Sequence, residues 1–194
     1  MNKGDLMDKS ELLKNKLCPM VDIISENLDV LFVGYNPGIL SAKTGHHYAG
    51  KSNRFWKLLY ESGLTLSNLE PEEDQRLLEL RFGSTNIVHR PTKSASEITS
   101  TEFEEGSKIL EDLIKKIMPK IVCFVGIGVY RTFAAHMLGV PKSRLTVTTG
   151  KQKNSLIEGC LDFVCSNPSG LNTIPYNEQL KCFKQLKQLL SNII

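Results

Sequence analysis

The chain has 194 residues, of which 41% are hydrophobic and 23% are charged, and this composition suits one α/β domain or a tight pair of lobes. It contains no run of about 18 apolar residues, and its first residues lack the apolar core of a secretory signal, so we expect neither a membrane span nor export. The net charge of +3 is too small to identify a polyanionic partner by itself.

The five cysteines do not form the pattern of a disulfide framework. Their number is odd, and none belongs to a Cys-x-x-Cys pair. Cys123 and Cys165 lie within apolar runs, where cysteine usually behaves as a small hydrophobic residue. This usage fits a reducing intracellular compartment, the nucleus in a eukaryote or the cytoplasm in a bacterium. We expect neither a metal ion nor an organic cofactor.

Basic residues dominate the last third of the chain, where Lys151 and Lys153 are two of several lysines. Two interpretations stay open. The basic residues form a side that faces nucleic-acid phosphates, or they belong to a solvated helix face. On the first interpretation Lys151 and Lys153 contact phosphates, and binding weakens as salt is added.

Apolar runs alternate with segments of helical periodicity, which predicts a mainly parallel sheet covered by helices on both faces. No internal repeat or long linker divides the chain. We therefore predict a single domain over residues 1–194, with an N-terminal helical segment at 1–28 before a core at 29–194.

The first half of this core contains two predicted strands and two predicted helices. The run 30–33 is apolar throughout and predicts a buried strand. Asn53 is suited to cap a helix that stops at Gly63. Pro71, followed by three acidic residues, predicts a helix to about residue 80, and Ile87-Val88 predicts a short strand.

In the second half, Thr101 and Glu104 fit a capping box for a helix that Pro119 terminates. The remaining predicted elements are strands at 121–125, 145–147 and 161–165, and helices at about 129–138 and 176–190.

Two predicted strands end in loops that carry asparagine. The first leads into Asn36-Pro37-Gly38 and the second into the run 167–171. Ligands in open α/β sheets bind beyond the carboxyl ends of the strands, so both loops are expected to face one crevice. Asparagine is a poor acid, base or nucleophile. A site built around Asn36 therefore positions something, such as water, beside a flat ligand stacked on Tyr48.

Other motifs give weaker signals. Gly126-Ile127-Gly128 follows a predicted strand, but Arg131 occupies the position of the third glycine in a dinucleotide-binding turn. The chain has neither a Walker lysine motif nor a G-x-S-x-G nucleophile elbow. A tight strand-to-helix turn is the simpler interpretation of the glycine pair.

Several short motifs in order resemble the mismatch-specific uracil/thymine DNA glycosylases, over nearly the whole chain from about Leu31. They are Gly34-x-Asn36-Pro37-Gly38, Gly45-x-x-Tyr48, Asn53-x-Phe55-Trp56, Thr85-Asn86-Ile87-Val88-x-Arg90-Pro91-Thr92 and Asn167-Pro168-Ser169-Gly170-Leu171.

The resemblance implies a role for each residue of a base pocket. Asn36 matches the family's catalytic asparagine, which orients a water toward the sugar C1′. Tyr48 matches the aromatic residue that stacks on the flipped pyrimidine, and Asn86 matches a polar residue that reads its edge. The resemblance also places Tyr35, Ser41 and His47 in this pocket.

The second loop matches the family's insertion loop, in which Leu171 would fill the gap that the flipped base leaves. Backbone groups of Gly170 and Asn172 would read the orphaned guanine, and Asn167 and Ser169 would belong to the same DNA-binding loop. The chain departs from the family at three positions: Tyr35 replaces Ile, Ser166 stands where proline is common, and Asn172-Thr173 replaces Ser/Ala-Arg.

The predicted fold is thus a three-layer α/β/α sandwich. The predicted function is the removal of uracil, and of thymine and other modified bases, from G·U and G·T mispairs in double-stranded DNA by a monofunctional, monomeric glycosylase. Two alternatives are a non-catalytic mismatch- or nucleotide-binding module on the same fold and a hydrolase of free nucleosides.

Overall fold

The computed structural model describes residues 20–193, and a five-stranded sheet forms the centre of the protein. The strand order is β2-β1-β3-β5-β4, and every neighbouring pair is parallel except β4 with β5. The strands are β1 Val30–Gly34, β2 Phe82–Asn86, β3 Ile121–Val125, β4 Gly150–Lys151 and β5 Leu161–Cys165.

Helices cover the sheet, and none of those described is long and apolar enough to cross a membrane. The α-helices are α1 Ile39–Thr44, α2 Phe55–Glu61, α3 Ser100–Ile117, α4 Ile127–Leu138 and α5 Tyr176–Ser191. Short 3₁₀ segments cover Pro71–Leu80, Ala95–Glu97 and Lys142–Arg144.

Alternation along β1 shows why the protein has three layers. Successive side chains of a strand point to opposite faces of the sheet. Val30 and Phe32 pack into the apolar cluster that α2 and α5 cover, whereas Leu31 and Val33 pack into the cluster under α3 and α4. All four residues are fully buried. Burial on both faces accounts for the apolar sequence of β1, and the structure confirms the predicted α/β/α sandwich.

The register of the sheet brings the ends of the strands together at one edge. Gly34, at the end of β1, pairs with Asn86 at the end of β2, while Val125 of β3 pairs with Cys165 of β5. The two asparagine-bearing loops therefore leave the sheet on the same side.

The capping box of α3 lies two residues before the predicted one. Thr99 Oγ1 accepts a hydrogen bond from the Glu102 backbone N–H at 3.2 Å, and Glu102 Oε2 accepts one from the Thr99 backbone N–H at 2.9 Å. The Thr-x-x-Glu pattern occurs twice here, at Thr99 and at Thr101, so sequence alone could not choose between the two.

Other elements also differ from the prediction. Strand β2 ends at Asn86, and Ile87-Val88 continues past it through backbone bonds to Gly34 and Tyr35. The segment 145–147 is not a strand, because the chain pairs with β5 only from Gly150 onward. The predicted helix at 71–80 is a 3₁₀ helix.

The N-terminal helical segment is only partly within the described residues. Residues 1–19, with Cys18, lie outside them. Residues 20–28 do not form a helix, because Ile23 makes an antiparallel bridge with Ser84 through two backbone hydrogen bonds of 2.9 Å. Helix α1, which follows the first asparagine loop, was not predicted.

Candidate active site

A cavity of about 640 Å³ opens at the carboxyl edge of the sheet, and both asparagine-bearing loops line it. The structure thus brings together residues that are more than 130 positions apart in the sequence, such as Asn36 and Asn172. The predicted site residues that line the cavity are Tyr35, Asn36, Ser41, His47, Tyr48, Asn86, Asn167, Ser169, Gly170, Leu171 and Asn172.

The side chain of Asn36 is held in one orientation by three acceptors. Its Nδ2 group lies 2.8 Å from Thr92 Oγ1 and 3.2 Å from the carbonyl oxygens of both Arg90 and Pro37. Carbonyl oxygens only accept hydrogen bonds, so the amide nitrogen must face them. Asn36 Oδ1 makes no hydrogen bond with a described residue and remains an acceptor for a bound molecule.

Thr92 is a member of this site that the sequence analysis did not assign a role. It is buried, and its hydroxyl donates to the Ser94 carbonyl at 2.7 Å, which leaves a lone pair for Asn36 Nδ2. Its backbone N–H also bonds the Pro37 carbonyl at 3.3 Å. The threonine ended one of the recognised motifs, but only the fold shows that it contacts Asn36.

Tyr48 presents a ring to the cavity from a fixed support. The ring stacks on Phe55, with centroids 3.7 Å apart and planes inclined by 19°. The Tyr48 hydroxyl is buried, and this burial raises the pKa of the phenol. Tyr48 also has a φ of 54°, a left-handed conformation that bulky residues seldom adopt. Such strain persists where the surrounding structure enforces it, and it is frequent at functional sites.

Asn86 lies at the end of β2 and is buried, yet its side-chain amide makes no hydrogen bond with a described residue. A Cβ atom on the neighbouring Gly34 would lie 2.5 Å from Asn86 Oδ1, so only glycine leaves room for this side chain. This amide lines the cavity. A ligand with one acceptor and one N–H donor would satisfy it.

The loop that follows β5 is folded on itself by polar bonds. Asn167 Oδ1 accepts from the Ser169 backbone N–H at 2.9 Å, and Asn172 Nδ2 donates to the Asn167 carbonyl at 2.6 Å. This framework projects Leu171 outward, with 90% of the residue exposed. The leucine is therefore not packed into the core.

This loop is also docked on the segment that leads into α2. The Arg54 backbone N–H donates to the Pro168 carbonyl at 2.9 Å. A Cβ on Gly170 would lie 2.4 Å from the side chain of Ser52, so the two segments are in close contact. Since α2 carries Phe55, which supports Tyr48, the projecting leucine and the stacking ring share one rigid support.

The family model of the uracil DNA glycosylase superfamily matches residues 21–191, which is most of the chain. The chain belongs to the uracil DNA glycosylase superfamily. Membership implies DNA glycosylase activity on uracil, with DNA as the substrate. It also gives the cavity a natural occupant, because a glycosylase must take its target base out of the duplex and hold it in a pocket.

Two of the residues predicted for the base pocket of this glycosylase line the cavity and hydrogen-bond other parts of the protein. His47 Nε2 faces the Val21 carbonyl at 3.0 Å, and His47 Nδ1 accepts from the Ser84 hydroxyl at 2.9 Å. Burial lowers the pKa of His47, so the ring is neutral at pH 7. Ser41 Oγ accepts from the Ala49 backbone N–H at 3.1 Å. Both side chains line the wall of the cavity, and their part in base recognition remains a prediction.

Tyr35 also directs its hydroxyl away from Asn36. The oxygen lies 3.1 Å from Thr132 Oγ1 on α4, and a Cβ on Gly128 would lie 2.6 Å from it. The second glycine of the Gly126-Ile127-Gly128 turn therefore makes room for the phenol, which explains that turn without a nucleotide. Burial raises the pKa of Tyr35.

Lys151 and Lys153 do not line the cavity. Lys151 pairs with Phe163 on β5, and β4 runs antiparallel to β5, away from the edge where the cavity opens. Both lysines are exposed, and their contact with phosphates remains a prediction. Within residues 20–193, no group of three or more His, Cys, Asp or Glu side chains is placed to hold a metal ion.

Proposed function

We propose that the protein hydrolyses the N-glycosidic bond of uracil opposite guanine in duplex DNA and leaves an abasic site. The observation that carries this proposal is the orientation of Asn36, whose Nδ2 is bound to Thr92, Arg90 and Pro37 while Oδ1 remains an acceptor. This arrangement can hold one water molecule in a defined place, and an amide can do little else.

The reaction begins with the glycosidic bond, since a neutral amide does not deprotonate water. The bond electrons pass to the base, which leaves as a pyrimidine anion, and the sugar becomes an oxocarbenium-like cation. The water held by Asn36 Oδ1 then adds to C1′ and loses its proton to solvent. Alignment of the water and preorganised donors to the departing base lower the barrier.

Two side chains hold the base in this scheme. The Tyr48 ring, which stacks on Phe55 at 3.7 Å, offers a flat surface for the flipped pyrimidine. The amide of Asn86 donates to one carbonyl of the base and accepts from its N3–H group. Negative charge that develops on the base during bond cleavage strengthens the donated bond, so Asn86 favours the transition state.

The quality of the leaving group then sets the order of substrates. Thymine differs from uracil by a methyl group that donates electrons and makes the anion less stable. We therefore propose thymine opposite guanine as a slower substrate than uracil.

Guanine opposite the lesion would be read by carbonyl oxygens of the insertion loop. The backbone N–H of Asn172 donates to the Ser169 carbonyl at 2.9 Å, and its side-chain oxygen accepts from the Ile174 backbone N–H at 3.0 Å. The carbonyl oxygens of Gly170 and Asn172 accept no hydrogen bond from the described residues. They match the N1–H and N2–H donors of guanine.

The test uses a duplex with one G·U pair and a labelled uracil strand, followed by alkaline cleavage of abasic sites. We expect the wild-type protein to produce strand breaks in the G·U duplex and none in a matched G·C duplex. Binding without breaks would favour the non-catalytic module. Release of uracil from free deoxyuridine but not from DNA would favour a nucleoside hydrolase, for which a 90% exposed Leu171 would have no use.

A further inference from the structure

The cavity carries a single formal charge. Lys93 is the only Lys, Arg, Asp or Glu among the described residues that line it. His47, also on the wall, is kept neutral at pH 7 because burial lowers its pKa. The full negative charges of a DNA substrate lie on its backbone phosphates, which are therefore natural partners for this lysine.

No carboxylate neutralises Lys93 among the described residues. Nearby charges have other partners: Arg90 donates to both carboxylate oxygens of Glu102, and Glu97 Oε1 accepts from the Ser94 backbone N–H at 2.9 Å. Lys93 is itself exposed. Its ammonium group is therefore free to bind an anion from outside the protein.

The backbone on which Lys93 stands is fixed to the catalytic turn. The preceding residue, Thr92, forms a bridge with Gly38, bonds the Pro37 carbonyl and accepts from Asn36 Nδ2. A sugar whose C1′ faces the water on Asn36 therefore lies close to this segment. The phosphate attached to that sugar lies close as well.

Leu171 and Lys93 both line the cavity, on loops that follow different strands. The segment of Lys93 follows β2, whereas the insertion loop follows β5, and the strand order places three interstrand spacings between them. At about 4.8 Å per spacing the ends of β2 and β5 are roughly 14 Å apart. A nucleotide that leaves the stack beside Leu171 must cross the gap, and its backbone reaches the wall that carries Lys93.

We propose that Lys93 binds the backbone phosphate beside the flipped nucleotide and is the principal cationic anchor of the lesion strand. This inference rests on the proposed function, and it moves the expected anchor from Lys151 and Lys153 to the cavity rim. Lys153 lies beyond β4, whose course leads away from the cavity. The ligand is a phosphodiester, and its attraction to lysine is sequence-independent.

The experiment measures the Kd for a duplex that contains 2′-fluoro-2′-deoxyuridine opposite guanine, which resists excision, between 50 and 200 mM salt. One phosphate contact contributes about 0.9 to the slope of log K against log salt. The Kd of the wild-type protein rises between 50 and 200 mM salt, and for Lys93→Ala this rise should be smaller by a factor of about 3.5. Lys93→Arg should keep the wild-type slope, and Lys153→Ala should leave it unchanged.

The proposal is overturned if Lys93→Ala keeps the wild-type salt slope, or if Lys153→Ala produces the loss instead. Uracil excision by the wild-type protein is measured in parallel on an ordinary G·U duplex. If the wild-type protein excises uracil but Lys93→Ala keeps the wild-type salt slope, only the phosphate contact of Lys93 is contradicted. Absence of excision by the wild-type protein contradicts the proposed function.

Discussion

Replacement of Leu171 by alanine separates the stability of the protein from its action on a duplex. The side chain is 90% exposed and supports no core, so the free energy of unfolding should change by less than about 0.5 kcal/mol. In the complex the leucine would be buried between base pairs. The substitution removes three carbon groups, each worth about 0.8 kcal/mol when it is buried. Because the side chain is almost fully exposed in the free protein, nearly all of this burial energy is gained on binding DNA and is lost in the variant.

The resulting loss is about 2 kcal/mol, which corresponds to roughly a 30-fold lower excision rate at limiting protein on a G·U duplex. The same variant should act almost normally on uracil in a single strand, because no gap in a base stack has to be filled there. Excision is followed under single-turnover conditions on both substrates, and stability by urea unfolding.

The matched control is Leu66→Ala. Leu66 is 95% exposed and does not line the cavity, so both excision rates and the stability should stay at wild-type values. Equal losses for Leu171→Ala on single strands and duplexes, or no loss on the duplex, would refute the insertion of Leu171.

Two further predictions concern buried polar groups. Thr92→Val removes the 2.8 Å acceptor of Asn36 Nδ2 and should slow single-turnover excision by about 2- to 12-fold, the equivalent of one neutral hydrogen bond, while Thr92→Ser should restore it. Burial raises the pKa of Asp162 to about 6, so the folded state binds more protons than the unfolded state between pH 4 and 6. This group therefore lowers stability by up to about 3 kcal/mol as pH rises through that window. Urea unfolding at pH 4 and pH 7 should show that decline in the wild type relative to Asp162→Asn, and an equal pH dependence of both proteins would contradict it.

The layers of the fold were predictable because strands buried on both faces are usually rich in apolar residues. The runs at 30–33, 121–125 and 161–165 therefore identified the three central strands. Strand β2 was not recognised, because its sequence, Phe-Gly-Ser-Thr-Asn, places buried polar residues where apolar ones are expected. Ser84 is tolerated there because its hydroxyl bonds His47, a contact between distant parts of the chain.

The candidate site was predictable to the extent that its residues belong to short motifs. Motif spacing does not show where a side chain points. The Tyr35 hydroxyl bonds Thr132 on α4, and both ring nitrogens of His47 have partners in the protein. Lys93, next to Thr92 at the rim, belonged to no motif. Such contacts depend on tertiary structure, and only the folded chain reveals them.

The most direct test of the central claim is single-turnover excision of uracil from a G·U duplex by Asn36→Ala, with the Kd measured on the non-cleavable duplex. A misplaced water costs about 100-fold or more in rate, whereas the pocket and insertion loop that bind the DNA remain. We expect that loss with a Kd within about threefold of wild type, and Asn154→Ala, at an exposed position off the cavity, should change neither. Near-normal excision by Asn36→Ala would contradict the positioning of water by this amide.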